Sequence, residues 1–181
     1  MASALFVCLG NICRSPAGEA VLKGIVNKKA GANASSFRIE SCGTGGGNPN
    51  WYNVGGWSYH EGDSSDSRMT KEAKKRGYVM TSRSRPLNKM DIDEFDYIIC
   101  MDDKNKAAVL EAAMAWGGPS CRDLARDKIS MMTDYCNTFK DATRIPDPWY
   151  EGGFDHVLDL LEDACEGLYN HLMARNEQSK S

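Results

Sequence analysis

Long apolar runs are missing from this sequence. The first apolar stretch, Leu5-Phe6-Val7-Cys8, soon meets Gly10-Asn11 and has no cationic segment ahead of it. It is too short for a membrane span and lacks the form of a secretory leader. No membrane association is therefore expected, and a cytoplasmic home is. Positive charge is not in excess either: 22 Lys and Arg stand against 25 Asp and Glu, for a net charge of -3. A general nucleic-acid binder needs a basic face, so nucleic acid is not an expected partner. No Cys-x-x-Cys pair occurs, and His60, His156 and His171 do not cluster with cysteines at ligand spacing. A zinc site is thereby disfavoured, and no metal or other cofactor is expected. Internal repeats and a second domain are also lacking.

What is present fits one soluble domain. The chain has 181 residues, 41% hydrophobic and 26% charged, within the usual range for a single compact unit. The domain is assigned to residues 1–175, with a polar tail over 176–181. The 7 cysteines are odd in number, and Cys100 and Cys165 sit inside apolar segments. That pattern suits reduced thiols in a reducing compartment better than a disulfide scaffold.

Strand and helix signals alternate. Leu5-Phe6-Val7-Cys8 reads as a buried strand, and Ser15-Pro16 as a helix start with serine at the cap and proline at the first helical position. Phe37-Arg38-Ile39-Glu40-Ser41 is a second strand candidate. Residues 45–67, rich in Gly, Ser, Asn and aromatics without an apolar period, read as a long loop. Residues 70–77 predict a short helix, 95–101 the strongest strand, 103–114 a helix, and 128–132 a weaker strand. Phe154, Val157, Leu158, Leu161, Ala164, Cys165, Leu168 and Leu172 keep one apolar stripe of a last helix. The alternation implies an α/β fold with a parallel sheet of four strands. Ligands of such sheets sit outside the carboxyl ends of the strands, which directs attention to the junction after the first one.

There Cys8-Leu9-Gly10-Asn11-Ile12-Cys13-Arg14-Ser15 joins a strand to a helix. A turn of this kind aims successive backbone N–H groups into a concave nest, and the helix N-terminus adds partial positive charge. A phosphate fits that environment, and the same field with a neighbouring guanidinium stabilises a thiolate at Cys8. Arg14 beside a helix N-terminus opposes the macrodipole unless an oxyanion compensates it. Gly10 and Asn11 tolerate the left-handed backbone that a nest requires. The competing reading, a buried structural cysteine and a solvated arginine, leaves the placement between strand and helix unexplained.

These residues resemble the signature loop of the low-molecular-weight protein tyrosine phosphatases. Ser41-Cys42-Gly43-Thr44, Phe95-Asp96-Tyr97-Ile98-Ile99-Cys100-Met101-Asp102 and Asp147-Pro148-Trp149-Tyr150 are similar to three further family segments, in the family's order. The resemblance implies a three-layer fold of phosphotyrosine phosphatase I type, with flavodoxin-like strand order 2-1-3-4. It implies Cys8 as nucleophile, Arg14 as phosphate clamp and Asp147 as general acid and base. Leu9, Gly10, Asn11, Ile12, Cys13, Arg14 and Ser15 would bind the phosphoryl group. Asn11, Ser15, Ser41 and Asp102 would support the loop, and Tyr59, Trp149 and Tyr150 would line the substrate cleft. Phosphotyrosine-containing proteins or small aryl phosphates are the implied substrates, inorganic phosphate the product, and a monomer or weak dimer the implied assembly. Cys13 is a candidate redox partner for Cys8, closing a disulfide after oxidation.

The sequence also departs from the family. An insertion about ten residues long, judged against usual loop lengths, separates Thr44 from Tyr59-His60-Glu61-Gly62, and at least one of Trp51, Trp57 and Tyr59 is expected to line the cleft. Arg76 stands where some relatives place a histidine before the glycine matched by Gly77. No histidine is assigned to catalysis. Arsenate reductases and protein arginine phosphatases share this fold and loop. The former need two further cysteines after the third strand, where Asp102-Asp103-Lys104-Asn105-Lys106-Ala107 supplies none. The latter carry threonine where Ile12 stands. A non-enzymatic phosphate-binding module is the remaining alternative.

Overall fold

The computed structural model describes residues 2–180. Its centre is a parallel sheet of β1 (Ala2–Cys8), β2 (Phe37–Gly43), β3 (Tyr97–Cys100) and β4 (Ile129–Met131), in the order β2-β1-β3-β4. Side chains of a strand alternate between faces, and β1 buries both. Ala2, Ala4, Phe6 and Cys8 enter one core, Leu5 and Val7 the other. The first core is closed by α1 (Arg14–Ala30), α2 (Ser67–Lys75) and α6 (Phe154–Ser179), through Val21, Leu22, Met69, Leu158 and Leu161. The second is closed by α3 (Lys89–Glu94) and α4 (Asp103–Lys128), through Ile92, Val109 and Ala112. Three layers result, as a parallel sheet with two apolar faces demands. Val7 pairs with Cys42 on one side and Cys100 on the other. The carboxyl ends of β1, β2 and β3 therefore finish level, and the loops leaving them meet.

Several boundaries differ from the sequence reading, each for a local reason. Helix α1 begins at Arg14, with Cys13 at the N-cap and no side chain capping it. Ser15 lies inside the helix because its hydroxyl is engaged across the loop at Cys8. Helix α2 starts at Ser67, since Asp66 caps it by accepting from the N–H groups of Arg68 and Met69. Helix α4 continues well past residue 114 because the Gly117-Gly118-Pro119 break is only a kink. Gly118 takes φ 70°, and the chain resumes helix with Pro119 in its first turn. Helix α6 continues to Ser179, so residues 176–179 are helical, although Leu172 is the last fully buried apolar residue in it. Helices α3 and α5 (Pro148–Glu151) are too short to show an apolar period.

Candidate active site

The loop after β1 is held from outside by its carbonyls. Cys8 and Leu9 oxygens accept from Thr44 N–H at 3.1 and 2.9 Å, Leu9 oxygen also from Gly46 N–H at 3.0 Å, and Ile12 oxygen from Asp66 N–H at 2.8 Å. Gly10 oxygen accepts from the Ser84 hydroxyl at 2.8 Å. In a trans peptide the N–H points opposite to the C=O, and no cis bond occurs among the described residues. Turning these carbonyls outward therefore turns the N–H groups of Leu9, Gly10, Asn11 and Cys13 inward, toward the concave side. Gly43 permits the close packing behind them, because a Cβ there would come within 2.9 Å of Leu9 oxygen.

Asn11 is the hinge of the loop. Its φ of 55° lies in the left-handed region, which costs a side-chain-bearing residue roughly 1–2 kcal/mol. Three bonds offset that cost: Nδ2 donates to Ser15 Oγ at 2.8 Å and to Ser41 Oγ at 2.9 Å, while Oδ1 accepts from Arg85 N–H at 3.0 Å. Ser41 in turn donates to Glu19 at 2.6 Å. Ser15 Oγ stands 3.0 Å from Cys8 Sγ and 3.2 Å from Cys42 oxygen. Its single proton has two acceptors, and a thiolate is the stronger of them.

Arg14 crosses the mouth of the loop almost fully buried. Nη1 donates to Asp102 at 2.6 Å and to Ile145 oxygen at 3.0 Å, while Nη2 reaches Asp147 at 3.3 Å. Burial pulls the guanidinium toward its neutral form, but the Cys8, Asp102 and Asp147 charges outweigh it and hold its pKa above the ordinary value. Asp102 is fixed by a capping box with Asn105 at the start of α4. Asp147 caps α5, accepting from Trp149 N–H at 3.1 Å, and its own N–H donates to Glu151 at 3.1 Å. Ile145 N–H donates to Met101 oxygen at 2.9 Å, which ties this segment to the end of β3.

Two cavities open here. A small well of about 40 Å³ is lined by Cys8, Ile12, Cys13 and Arg14, with His60, Trp149 and Tyr150 at its walls. A chamber of about 750 Å³ adjoins it, sharing Leu9, Arg14, Asp147 and Tyr150 and walled beyond them by Trp51 and Tyr52. Tyr59 lines neither. Its ring packs edge-on against Trp57 at 4.6 Å, half exposed, and the next residue, His60, takes the place at the well. A backbone reason is visible: His60 adopts φ 68°, and Gly46 packs against the Tyr59 Cβ. Of the three inserted aromatics, at least one of which is expected at the cleft, Trp51 lines the chamber, while Trp57 and Tyr59 stand outside it. His60, Ser84, Arg85 and Glu19 were not legible as site residues, since no spacing in the sequence connects them to Cys8. The histidine absent at Arg76 is not rebuilt at the loop: Arg76 pairs with Asp159 and Glu162 on α6.

All seven cysteines are free thiols. Burial, with Asp66 and Cys8 adding to it, pushes the Cys13 thiol well above its ordinary value, and burial does the same at Cys42, Cys100 and Cys165. No group of His, Cys, Asp and Glu suited to a metal occurs among the described residues.

A thiol seated in an oxyanion nest, with a buried arginine and a carboxylate across the mouth, defines a phosphate-handling α/β domain. Residues 3–179 match the low molecular weight phosphotyrosine protein phosphatase family, and the chain belongs to that family. A low molecular weight phosphotyrosine protein phosphatase of Schizosaccharomyces pombe is 34% identical, with 93% of each chain aligned. The low molecular weight protein-tyrosine-phosphatase of Bacillus subtilis to which the chain is similar is 33% identical over 93% of this chain and 94% of that one. The crystal structure of a protein tyrosine phosphatase from Entamoeba histolytica, with Hepes in its active site, superposes with a TM-score of 0.77. It shares 41% identity over 100% of both chains.

Proposed function

We propose that this chain hydrolyses phosphate monoesters, chiefly protein phosphotyrosine and small aryl phosphates, through a cysteinyl-phosphate intermediate. The observation that carries the reading is Cys8 Sγ, 3.0 Å from Ser15 Oγ, at the foot of a loop whose carbonyls face outward. Cys8 thiolate attacks phosphorus in line. The inward N–H groups and Arg14 hold the equatorial oxygens, the kind of positioning and charge stabilisation that carries most of phosphoryl transfer. The bond from phosphorus to the tyrosyl oxygen breaks, and Asp147 gives that oxygen its proton. Water then attacks phosphorus and loses a proton to Asp147. The P–S bond breaks, inorganic phosphate leaves, and the thiolate departs onto the Ser15 hydroxyl. Asp102 acts on Arg14, fixing Nη1 so that the rest of the guanidinium fork is held for the phosphoryl group.

Ile12, Trp149 and Tyr150 favour an aryl ester over phosphoarginine, and the lack of a cysteine in residues 101–107 disfavours arsenate reduction. No described helix is long and apolar enough to cross a membrane; the free thiols support a cytoplasmic location. A monomer or weak dimer suffices, because every group in the mechanism comes from one chain. Turnover of para-nitrophenyl phosphate tests the reading. Wild type is expected to exceed Cys8→Ser by at least about 10⁴-fold, the scale of losing a covalent nucleophile. Equal rates for the two would end it.

The same reading gives Cys13 a redox role. Peroxide oxidises Cys8 to a sulfenic acid, and Cys13 Sγ displaces its oxygen as water to form a disulfide. The raised Cys13 thiol is protonated at neutral pH, so closure accelerates as pH rises. Wild type treated with peroxide is expected to regain activity with dithiothreitol, and Cys13→Ser to lose most of that recovery. Equal recovery in both would remove the role.

A further inference from the structure

We propose that the chamber beside the catalytic well receives a cationic side chain, arginine above all, from the peptide that flanks phosphotyrosine. This rests on the phosphotyrosine reading above and deepens it. The small well has room for a phosphoryl group and little more, whereas the chamber's volume of about 750 Å³ suits a large side chain. The two share Arg14 and Asp147, so a residue next to phosphotyrosine reaches the chamber while phosphate sits on Cys8.

Charge chooses the occupant. The chamber lining holds five carboxylates and three cations; with Asp147 carrying the proton it gives the leaving oxygen, a surplus of one negative charge remains. Arg14 is engaged by Asp102 and Asp147. Arg144 is held by Glu151 through two bonds at 2.8 Å, which leaves Lys104 as the counterweight. Against it stand Asp103 and Glu111, and Glu111 has a phenol, not a cation, as its partner: Tyr52 donates to it at 2.8 Å. A phosphate dianion in the well makes the neighbourhood more negative still. Like charge is repelled under these conditions and a cation attracted. The aromatic walls add to this, since Tyr52 and Tyr150, backed by Trp51, offer ring surface on which a guanidinium stacks.

The wall is built for the purpose by the inserted segment. Trp51 is buried, edge-on to Trp116 at 5.9 Å, and Trp116 Nε1 donates to Tyr52 oxygen at 3.0 Å. Residues 51 and 52 are thus fixed to α4, and the chamber lies between that anchor and the Asp147 segment.

The test is a set of phosphotyrosyl peptides carrying Arg, Ala or Glu in turn at each position around phosphotyrosine, assayed on wild type and on Asp103→Asn/Glu111→Gln. Para-nitrophenyl phosphate, too short to leave the well, serves as the reference. At one position or more, wild-type kcat/KM is expected to rank Arg over Ala over Glu across about tenfold, as two partly exposed charge interactions allow. The ranking should shrink at high salt. In the double variant the spread falls to about twofold while the reference turnover stays within twofold of wild type. A flat ranking in wild type, or one that survives in the double variant, overturns the proposal. Absence of nitrophenyl phosphate turnover in wild type would instead strike the phosphatase reading itself.

Discussion

Residues 8–15 and residues 45–59 lie on either side of one substrate path and are stabilised in opposite ways. The first segment is over-determined. The carbonyls of Cys8, Leu9, Gly10 and Ile12 are bonded to residues 44–84, and the Asn11 amide to Ser15, Ser41 and Arg85. The second has neither helix nor strand and is fixed mainly by Trp51 and Tyr52 on α4, while Val54 and Trp57 stand in solvent. A strained backbone persists only where its surroundings dictate it, which suits the first segment to the chemistry proposed for it. Selection among peptides tolerates looser walls, and the second supplies them.

The sharpest way to break this contrast is inside the first segment. Arg14→Lys keeps the charge and loses the planar fork. It also gives up the bonds to Asp102 and Ile145 that set the orientation of Arg14. kcat for para-nitrophenyl phosphate is expected to fall by about 10²–10³-fold, the scale of removing one transition-state donor, and the melting temperature to drop as Asp102 and the Ile145 carbonyl lose their buried donor. A loss below about threefold would show that the fork is dispensable.

The second segment should answer differently. Trp51→Ala removes a buried ring from the contact with α4. The cost to stability is at most about 3 kcal/mol, below that of a core aromatic because the segment can peel away from the sheet. Turnover of nitrophenyl phosphate should change by less than about threefold, since no group on Cys8 depends on the ring. Thermal unfolding and kinetics together decide: a large loss of turnover at unchanged stability would make residues 45–59 part of the catalytic apparatus.

The same contrast governs what could be read from the chain. Residues 8–15 are contiguous, so their strand, nest and helix start were visible as one local pattern, and the sheet order followed from the family resemblance. Ser15 was misassigned as a cap because its partner, Cys8 Sγ, is a tertiary one. Ser84, Arg85 and Glu19 support the loop across long separations that no spacing announces. Tyr59 and His60 show the limit most clearly. An irregular segment carries no period, so one positive φ at His60 decides which of two neighbours faces the well, and the alphabet of residues cannot tell.

The smallest expected effect probes the link between the two regions, the Asp147 segment. Glu151 accepts from Arg144 and from Asp147 N–H, and the Arg144 bonds hold its carboxyl down to about 2 from an ordinary 4.5. A depressed carboxyl contributes stability that is present above its unfolded value and lost as pH falls through its folded one. Glu151→Gln removes that contribution. Its melting temperature should lie slightly below wild type at pH 5 to 7, and the two should converge as pH drops from about 4.5 toward about 2. The pair is solvent-exposed, so screening keeps the difference small, and high salt should shrink it further. Turnover should fall by less than about threefold, because Arg14 and the Trp149 N–H still hold Asp147. A melting difference that persists unchanged below pH 2 would mean that Glu151 acts through packing and not through its charge, and the Asp147 segment would then be held by shape, as the loop at Cys8 is.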